Sequence, residues 1–241
     1  MRPPQTTTTF GRSFDFQEHT TSTMDDAHAA IAKDAPHGHL IVADAQSAGR
    51  GARGRTWVGR PGAHLMFSLV LRQVPTDGLT LAAGVAIARA IEQFAPEDVR
   101  NKWPNDVWMG QPPRKVAGIL VEARSSGPID ALVLGVGLNI GREDWPAELQ
   151  ATSLSNYVDV TRDACLEAVL RTLEEAIDAL ARGGLPALLP EVRKRLLWRG
   201  ERVRCEETVG TLLDVNDEGS LEVETDDGVQ TLRAGHLRQY Q

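Results

Sequence analysis

The stretch Gln46-Ser47-Ala48-Gly49-Arg50-Gly51-Ala52-Arg53-Gly54-Arg55-Thr56-Trp57 concentrates residue types that hold phosphate. Glycine lets the backbone approach a ligand closely and take positive φ. Arginine supplies forked donors that match phosphate and carboxylate oxygens. Residues 45–76 contain five arginines (50, 53, 55, 60 and 72) and no Asp or Glu, in a chain whose net charge is −7. That local excess calls for a counter-anion. Trp57, at the loop's end, offers a ring to an aromatic base. The loop is neither a Walker loop, since no Gly-Lys-Ser/Thr follows, nor a dinucleotide fingerprint. On its own it leaves three readings open: a phosphate cradle, a solvated loop and a short RNA contact.

Four further groups could serve the same chemistry. In Lys102-Trp103-Pro104-Asn105-Asp106, the Asn and Asp could hold a ribose or a metal ion, although Asn-Asp after Pro is also ordinary turn chemistry. Lys115 stands at the mouth of the apolar run 116–121 and could present an ammonium to a developing anion. A snorkelling surface lysine is the bland reading. Asn139, in Gly135-Val136-Gly137-Leu138-Asn139, needs hydrogen-bond partners if buried and could read a base edge or cap a turn. Thr20-Thr21-Ser22-Thr23 could bind a carbonyl oxygen at a helix start or simply cap it.

The elements that must position these groups follow from periodicity. Residues 1–17 read as a loose lead-in. Ser22 with Asp25, ahead of Ala27, Ala29, Ala30 and Ile31, reads as a capping box opening a helix that Pro36 and Gly38 end. Strands are predicted at 40–42, 64–71, 99–103, 107–109, 116–121 and 131–140. Residues 46–62, with five glycines and four arginines, form a loop. Helical spacing covers 77–95 and 161–182, and a second helix is expected to run on to Trp198. Beyond Arg199-Gly200, short apolar runs are broken by Asp217-Glu218-Gly219 and Asp226-Asp227-Gly228, the texture of hairpins in a small barrel. A boundary is expected near residue 199.

Composition bounds the rest. The chain has 241 residues, 41% of them apolar, and a pI near 5.4. That predicts a folded protein that does not coat nucleic acid or an anionic membrane by bulk charge. The two cysteines, Cys165 and Cys205, show no metal-ligand spacing and read as two scattered reduced thiols, with one disulfide as the alternative. Without a signal-peptide core or a membrane-length apolar run, a cytoplasmic location is expected.

Taken in order, the motifs resemble those of the biotin–protein ligases. Ser22-Thr23 precedes the first helix. Then come Gly-Arg-Gly-x-x-Gly-Arg-x-Trp ending at Trp57, Lys-Trp-Pro-Asn-Asp from Lys102, Lys-x-Ala-Gly-Ile-Leu-Val-Glu from Lys115, and Gly-x-Gly-x-Asn ending at Asn139. The match spans about residues 18–141, and the tail from 199 is similar, with weaker motifs, to the family's SH3-like domain. The resemblance implies an α+β fold related to class II aminoacyl-tRNA synthetase catalytic domains, with a mixed sheet. It implies a biotin- and ATP-binding catalytic domain at 1–198 and an SH3-like C-terminal domain at 199–241, with no N-terminal DNA-reading domain and no direct repressor role. The implied reaction joins biotin and MgATP into biotinyl-5′-AMP, then biotinylates a lysine of a carrier domain such as that of acetyl-CoA carboxylase. A lipoate or octanoate ligase is the neighbouring alternative. Relatives are monomers or homodimers.

Carried over by position, Ser22, Thr23, Gln46, Gly49, Arg50, Lys115 and Gly118 would lie along biotin, with Lys115 and Arg50 catalytic. Arg53, Arg55, Trp57, Lys102, Asn105, Asp106 and Asn139 would hold the nucleotide, and Asp106 would help hold Mg²⁺. Two positions depart from the pattern. The family's Gly-Arg-Gly-Arg has Ala52 at its fourth place, so either Arg53 compensates or the charge is missing. Met24 stands where an asparagine often follows Ser-Thr.

Overall fold

The structure is a computed structural model and describes residues 1, 3–95, 98–123 and 131–240. Seven strands make the larger sheet: β1 (Phe14–Thr20), β2 (Leu40–Gln46), β3 (Leu65–Leu71), β4 (Val99–Lys102), β5 (Asp106–Met109), β6 (Arg114–Ala123) and β7 (Leu132–Leu138). Their order is β1-β2-β3-β7-β6-β5-β4, with β1 parallel to β2 and every other neighbour antiparallel. The sheet is therefore mixed, as the motifs imply.

The central strands are apolar on both faces because helices cover both. All seven residues of β3 and of β7 are buried. On one face, Ile41, Val70 and Val133 pack with Met24, Ala27 and Ile31 of α1 (Thr23–Ile31). On the other, Leu40, Val42, Leu69, Leu71, Leu132 and Leu134 join the main core with α2 (Leu79–Glu92) and α3 (Arg162–Gly183). The alternation along each strand assigns successive residues to opposite layers.

The lead-in differs from its expectation. β1 is ordered from Phe14, and Thr7 and Phe10 ahead of it are buried. Two carboxylates of α3 organise this segment. Glu167 accepts the backbone N–H groups of Gln5 and Thr6, and Glu174 those of Thr8, Thr9 and Phe10. The capping box forms only in part. Ser22 is the N-cap and accepts from Met24 N, but the Asp25 carboxylate pairs with Arg50. The helix expected to reach Trp198 stops earlier, as α4 (Leu189–Arg195). The backbone there leaves the helix to pair with β4: Leu197 N donates to Asn101 O at 2.9 Å.

Beyond it lies a second, five-stranded antiparallel sheet of SH3-like kind. Its strands are β8 (Arg202–Cys205), β9 (Thr208–Val215), β10 (Leu221–Thr225), β11 (Gly228–Leu232) and β12 (Leu237–Gln239), in the order β11-β10-β9-β8-β12. The acid-Gly turns sit where predicted, with Gly219 at φ 84° and Gly228 at φ 110°. Trp103 Nε1 donates to Gly219 O, and Arg193 Nε to Val215 O, fixing this sheet to the larger one. Both cysteines are buried free thiols, and burial pushes Cys165 up to about 12. Among the described residues, no helix is long and apolar enough to cross a membrane.

Candidate active site

Three cavities open beside the Gly-Arg loop, and Lys115 lies on the wall of all three. The first is a cleft of about 440 Å³ whose polar end is made by Thr23, Gln46, Arg50 and Asn105. The second is a chamber of about 630 Å³ lined by Trp57, Val58, Asn139, Trp145, Leu149 and Ala151. The third is an open trough of about 1300 Å³ bordered by Arg55, Lys102, Asp106, His236 and Arg238. The three differ in chemistry: one amphipathic, one aromatic and apolar, one cationic.

In the cleft the polar groups form a chain. Ser68 Oγ donates to Thr23 Oγ1, and Gln46 Oε1 accepts from both Thr23 N and Thr23 Oγ1. Ser22 is fully buried and spent on the helix cap rather than on the cavity wall. Ser68 was not anticipated. Its signal is a hydroxyl inside the otherwise apolar run of β3. Met24 fills the space over Gly135, where the family's asparagine would stand.

The Gly-Arg loop is folded back on itself. Gly49 O accepts from Trp57 N, Gly51 N donates to Arg55 O, and Arg50 pairs with Thr56. The Trp57 ring lies against the sheet at Gly137 and Gly118. A Cβ on Gly137 would stand 2.2 Å from it, and one on Gly118 would stand 2.9 Å away. These glycines admit the indole, and Gly118 also admits the Lys115 ammonium. Arg50 faces the cleft, but its guanidinium is shared between Asp25 (3.1 Å) and Glu122 (3.0 Å). Arg53 points elsewhere: it sits at φ 61° and binds Glu206 of the second sheet at 2.5 Å. Ala52 therefore lines both cleft and chamber with no arginine taking its place.

In the chamber, Asn139 Nδ2 donates to Thr152 O, while its buried Oδ1 has no hydrogen-bond partner among the described residues. A buried acceptor left open and aimed at a cavity calls for a ligand donor. Trp145, Leu149 and Ala151 were not anticipated. They lie on a stretch of low periodicity that carried no motif.

Along the trough, Lys115 Nζ is 2.7 Å from Asp106 Oδ1, an ion pair lacking hydrogen-bond alignment. Asn105 Nδ2 donates to Ile119 O and ties the β4–β5 turn to β6. Lys102 is buried against Trp108 (4.7 Å) and Trp198 (5.4 Å). Burial pulls its ammonium down to about 8, helped by nearby Lys115 and Arg55 and opposed by Asp106. Burial likewise holds His236 down to about 4, with Lys102, Arg55 and Arg238 adding repulsion. Neither His236 nor Arg238 was anticipated, because only the fold brings the second sheet to the site.

Comparison with known proteins decides what kind of site this is. The model of the biotin/lipoate A/B protein ligase family matches residues 14–139, more than half of the chain. The chain belongs to this family. Among its biotin/lipoate ligase relatives is the biotin–[acetyl-CoA-carboxylase] ligase of Mycobacterium tuberculosis, 33% identical over 246 residues, covering 94% of this chain and 90% of that one. The bifunctional ligase/repressor BirA of Bacillus subtilis is 32% identical, over 96% of this chain and 75% of its own. Among solved structures, the ligase fold matches the Aquifex aeolicus biotin protein ligase in complex with biotin and ATP. That match has a TM-score of 0.84 and 25% identity, covering 95% of this chain and 100% of that one. The Leishmania major enzyme in complex with biotinyl-5-AMP matches with a TM-score of 0.65 and 25% identity, over 92% and 99% of the two chains.

Proposed function

We propose that this chain is an ATP-dependent biotin–protein ligase that makes biotinyl-5′-AMP and passes biotin to a lysine of a carrier domain, of the kind found in acetyl-CoA carboxylase. The observation that carries the reading is the position of Lys115, where the amphipathic cleft, the aromatic chamber and the cationic trough meet. A biotin carboxylate, an adenine and a polyphosphate need those three environments around one cation.

In the first step a carboxylate oxygen attacks the α-phosphorus, and the bond from that phosphorus to pyrophosphate breaks. Two anions must approach, so fixed cations lower the barrier. Lys115 stands where the carboxylate and α-phosphate would meet, and Arg50 faces the same cleft. Thr23 and Gln46 would take the biotin head group, with Ser22 shaping the helix start and Gly49 and Gly118 the wall. Asn139 Oδ1 would accept from the adenine amine, and Trp57 would pack at the adenine side. Arg55 and Lys102 would line the polyphosphate path with Asn105 beside them. Arg53 would join only by exchanging Glu206 for a phosphate. In the second step an acceptor amine attacks the acyl carbon. A C–N bond forms, the C–O bond to AMP breaks, and the amine's proton leaves to solvent.

Magnesium fits this donor set as a nucleotide-borne ion. Among the described residues, no three His, Cys, Asp or Glu side chains converge. Mg²⁺ takes one or two protein carboxylates and completes its shell with phosphate oxygens and water. Of the two carboxylates at the trough, Asp106 and Glu148, Asp106 beside Lys115 would hold it. When bound, the ion neutralises phosphate charge. We assign residues 1–198 to the catalytic part and 199–241 to the SH3-like part. A cytoplasmic location, where ATP is supplied, is part of the same reading.

The test is intact-mass spectrometry of a biotin carrier domain incubated with enzyme, biotin and MgATP. A gain of one biotinyl group is expected, and none with lipoate or octanoate in place of biotin. Modification by lipoate or octanoate instead would overturn the substrate, and pyrophosphate release with none of the three acids would overturn the reaction.

A further inference from the structure

His64 lines none of these three cavities, yet it is 0% exposed and both its ring nitrogens are engaged. Nδ1 accepts the backbone N–H of Ile140 at 3.2 Å. Nε2 therefore carries the proton and donates to the Glu143 carboxylate in a short contact. The same carboxylate oxygen accepts from Arg60 N, and the Arg60 guanidinium donates to Arg142 O. The imidazole ring packs on Trp145, with centroids 5.5 Å apart and an interplanar angle of 40°. A Cβ on Gly59 would stand 2.4 Å from the ring, so that backbone lies directly on it.

One side chain thus joins two segments. Residues 58–64 continue the Gly-Arg loop past Trp57, and residues 140–145 continue the strand past Asn139. Both wall the chamber, through Val58 on the first segment and Trp145 on the second. Besides Glu143 and Arg60, Arg162 acts electrostatically on the ring, and it is held by Asp44 at 2.6 Å.

We propose that His64 is a positioning residue for the nucleotide: through Glu143 and Trp145 it fixes the wall against which the base packs. Its action is indirect, since it sets Trp145 and does not reach the ligand. The inference rests on reading the chamber as the base site. It predicts that loosening the clamp weakens ATP and leaves biotin alone, because Thr23 and Gln46 on the cleft wall lie on α1 and β2.

The experiment is calorimetry of biotin and ATP binding to the wild-type protein and to His64→Ala, Glu143→Ala, Glu143→Gln and the His64→Ala/Glu143→Ala double variant. Glu143 is on the surface side of the pair, so its variants keep the test sound if His64→Ala does not fold. Each alanine variant should weaken ATP about tenfold, the scale of one hydrogen bond, with biotin affinity unchanged. The double variant should be no weaker than the single ones, since both break one unit. Glu143→Gln keeps an acceptor for Nε2–H and should stay within about twofold of wild type. Equal weakening of biotin and ATP, or unchanged ATP affinity in folded Glu143→Ala, overturns the positioning role. Failure of the wild-type protein to bind ATP removes the base-site reading, and the inference falls with it.

Discussion

Lys115 and Asp106 form an ion pair, 2.7 Å apart, at the junction of cleft, chamber and trough. Asp106 is 6% exposed and holds the ammonium at the point where two substrate anions would meet. Lys115→Ala should therefore lower pyrophosphate release roughly 10²–10³-fold, the usual loss when one preorganised charge donor is removed. Circular dichroism should match the wild type, because Lys102 remains beside Asp106 to offset its charge. Near-normal turnover in a folded variant would take Lys115 out of the chemistry.

Lys102 separates stability from function. Its ammonium is drawn down to about 8 by burial, so a charged Lys102 costs the fold at neutral pH. Between about pH 8 and the unfolded value of 10.5 the unfolded chain binds more protons, so stability rises with pH across that window. Lys102→Met should gain up to about 3 kcal/mol at pH 7 and lose that pH dependence. It should also weaken ATP binding. Urea titrations at pH 7 and above pH 9, with calorimetry alongside, check both.

Ala52 leaves the loop without its fourth-position arginine, and Arg53 is engaged by Glu206 instead. Ala52→Arg should slow release of biotinyl-AMP about tenfold or more, since one charge-assisted hydrogen bond contributes about 1.5–3 kcal/mol. Release timed from a preformed complex is the measurement. Equal rates in the two proteins would mean the loop retains the adenylate without that charge.

Acid should destabilise the protein well before its carboxylates titrate. His37, His64 and His236 all lie below the usual imidazole value, chiefly through burial, His236 at about 4. Below about pH 6.5 the unfolded chain takes up protons that the folded histidines refuse, so stability falls as pH falls. His236→Gln should flatten the decline between about pH 6.5 and 4, read from thermal melts across that range. An unchanged slope would place the decline on other groups.

Much of this fold was legible where the determinants are local. Ser22 ahead of the alanines of α1, the apolar steps of α2 and α3, and the acid-Gly turns at Gly219 and Gly228 act within a few residues of themselves. What stayed hidden depends on contacts distant in sequence. The order of residues 3–13 comes from Glu167 and Glu174, more than 160 residues away. Arg53 reads as a phosphate ligand until Glu206 is brought beside it. His64 and Trp145 carry no motif, and only the crossing of two loops makes them neighbours.

The two carboxylates on Arg50 have a consequence for the energetics of filling the cleft. Asp25 and Glu122 occupy its guanidinium before any ligand arrives. An incoming anion does not meet a bare, hydrated cation. It takes part in an exchange, one counter-ion for another, in which the arginine never has to face low dielectric alone. A carboxylate displaced from Arg50 would meet water at the cleft edge, and Glu122 also has His28 at 3.0 Å. Filling this site with an anion would thus be a swap of partners rather than a net gain of charge pairs.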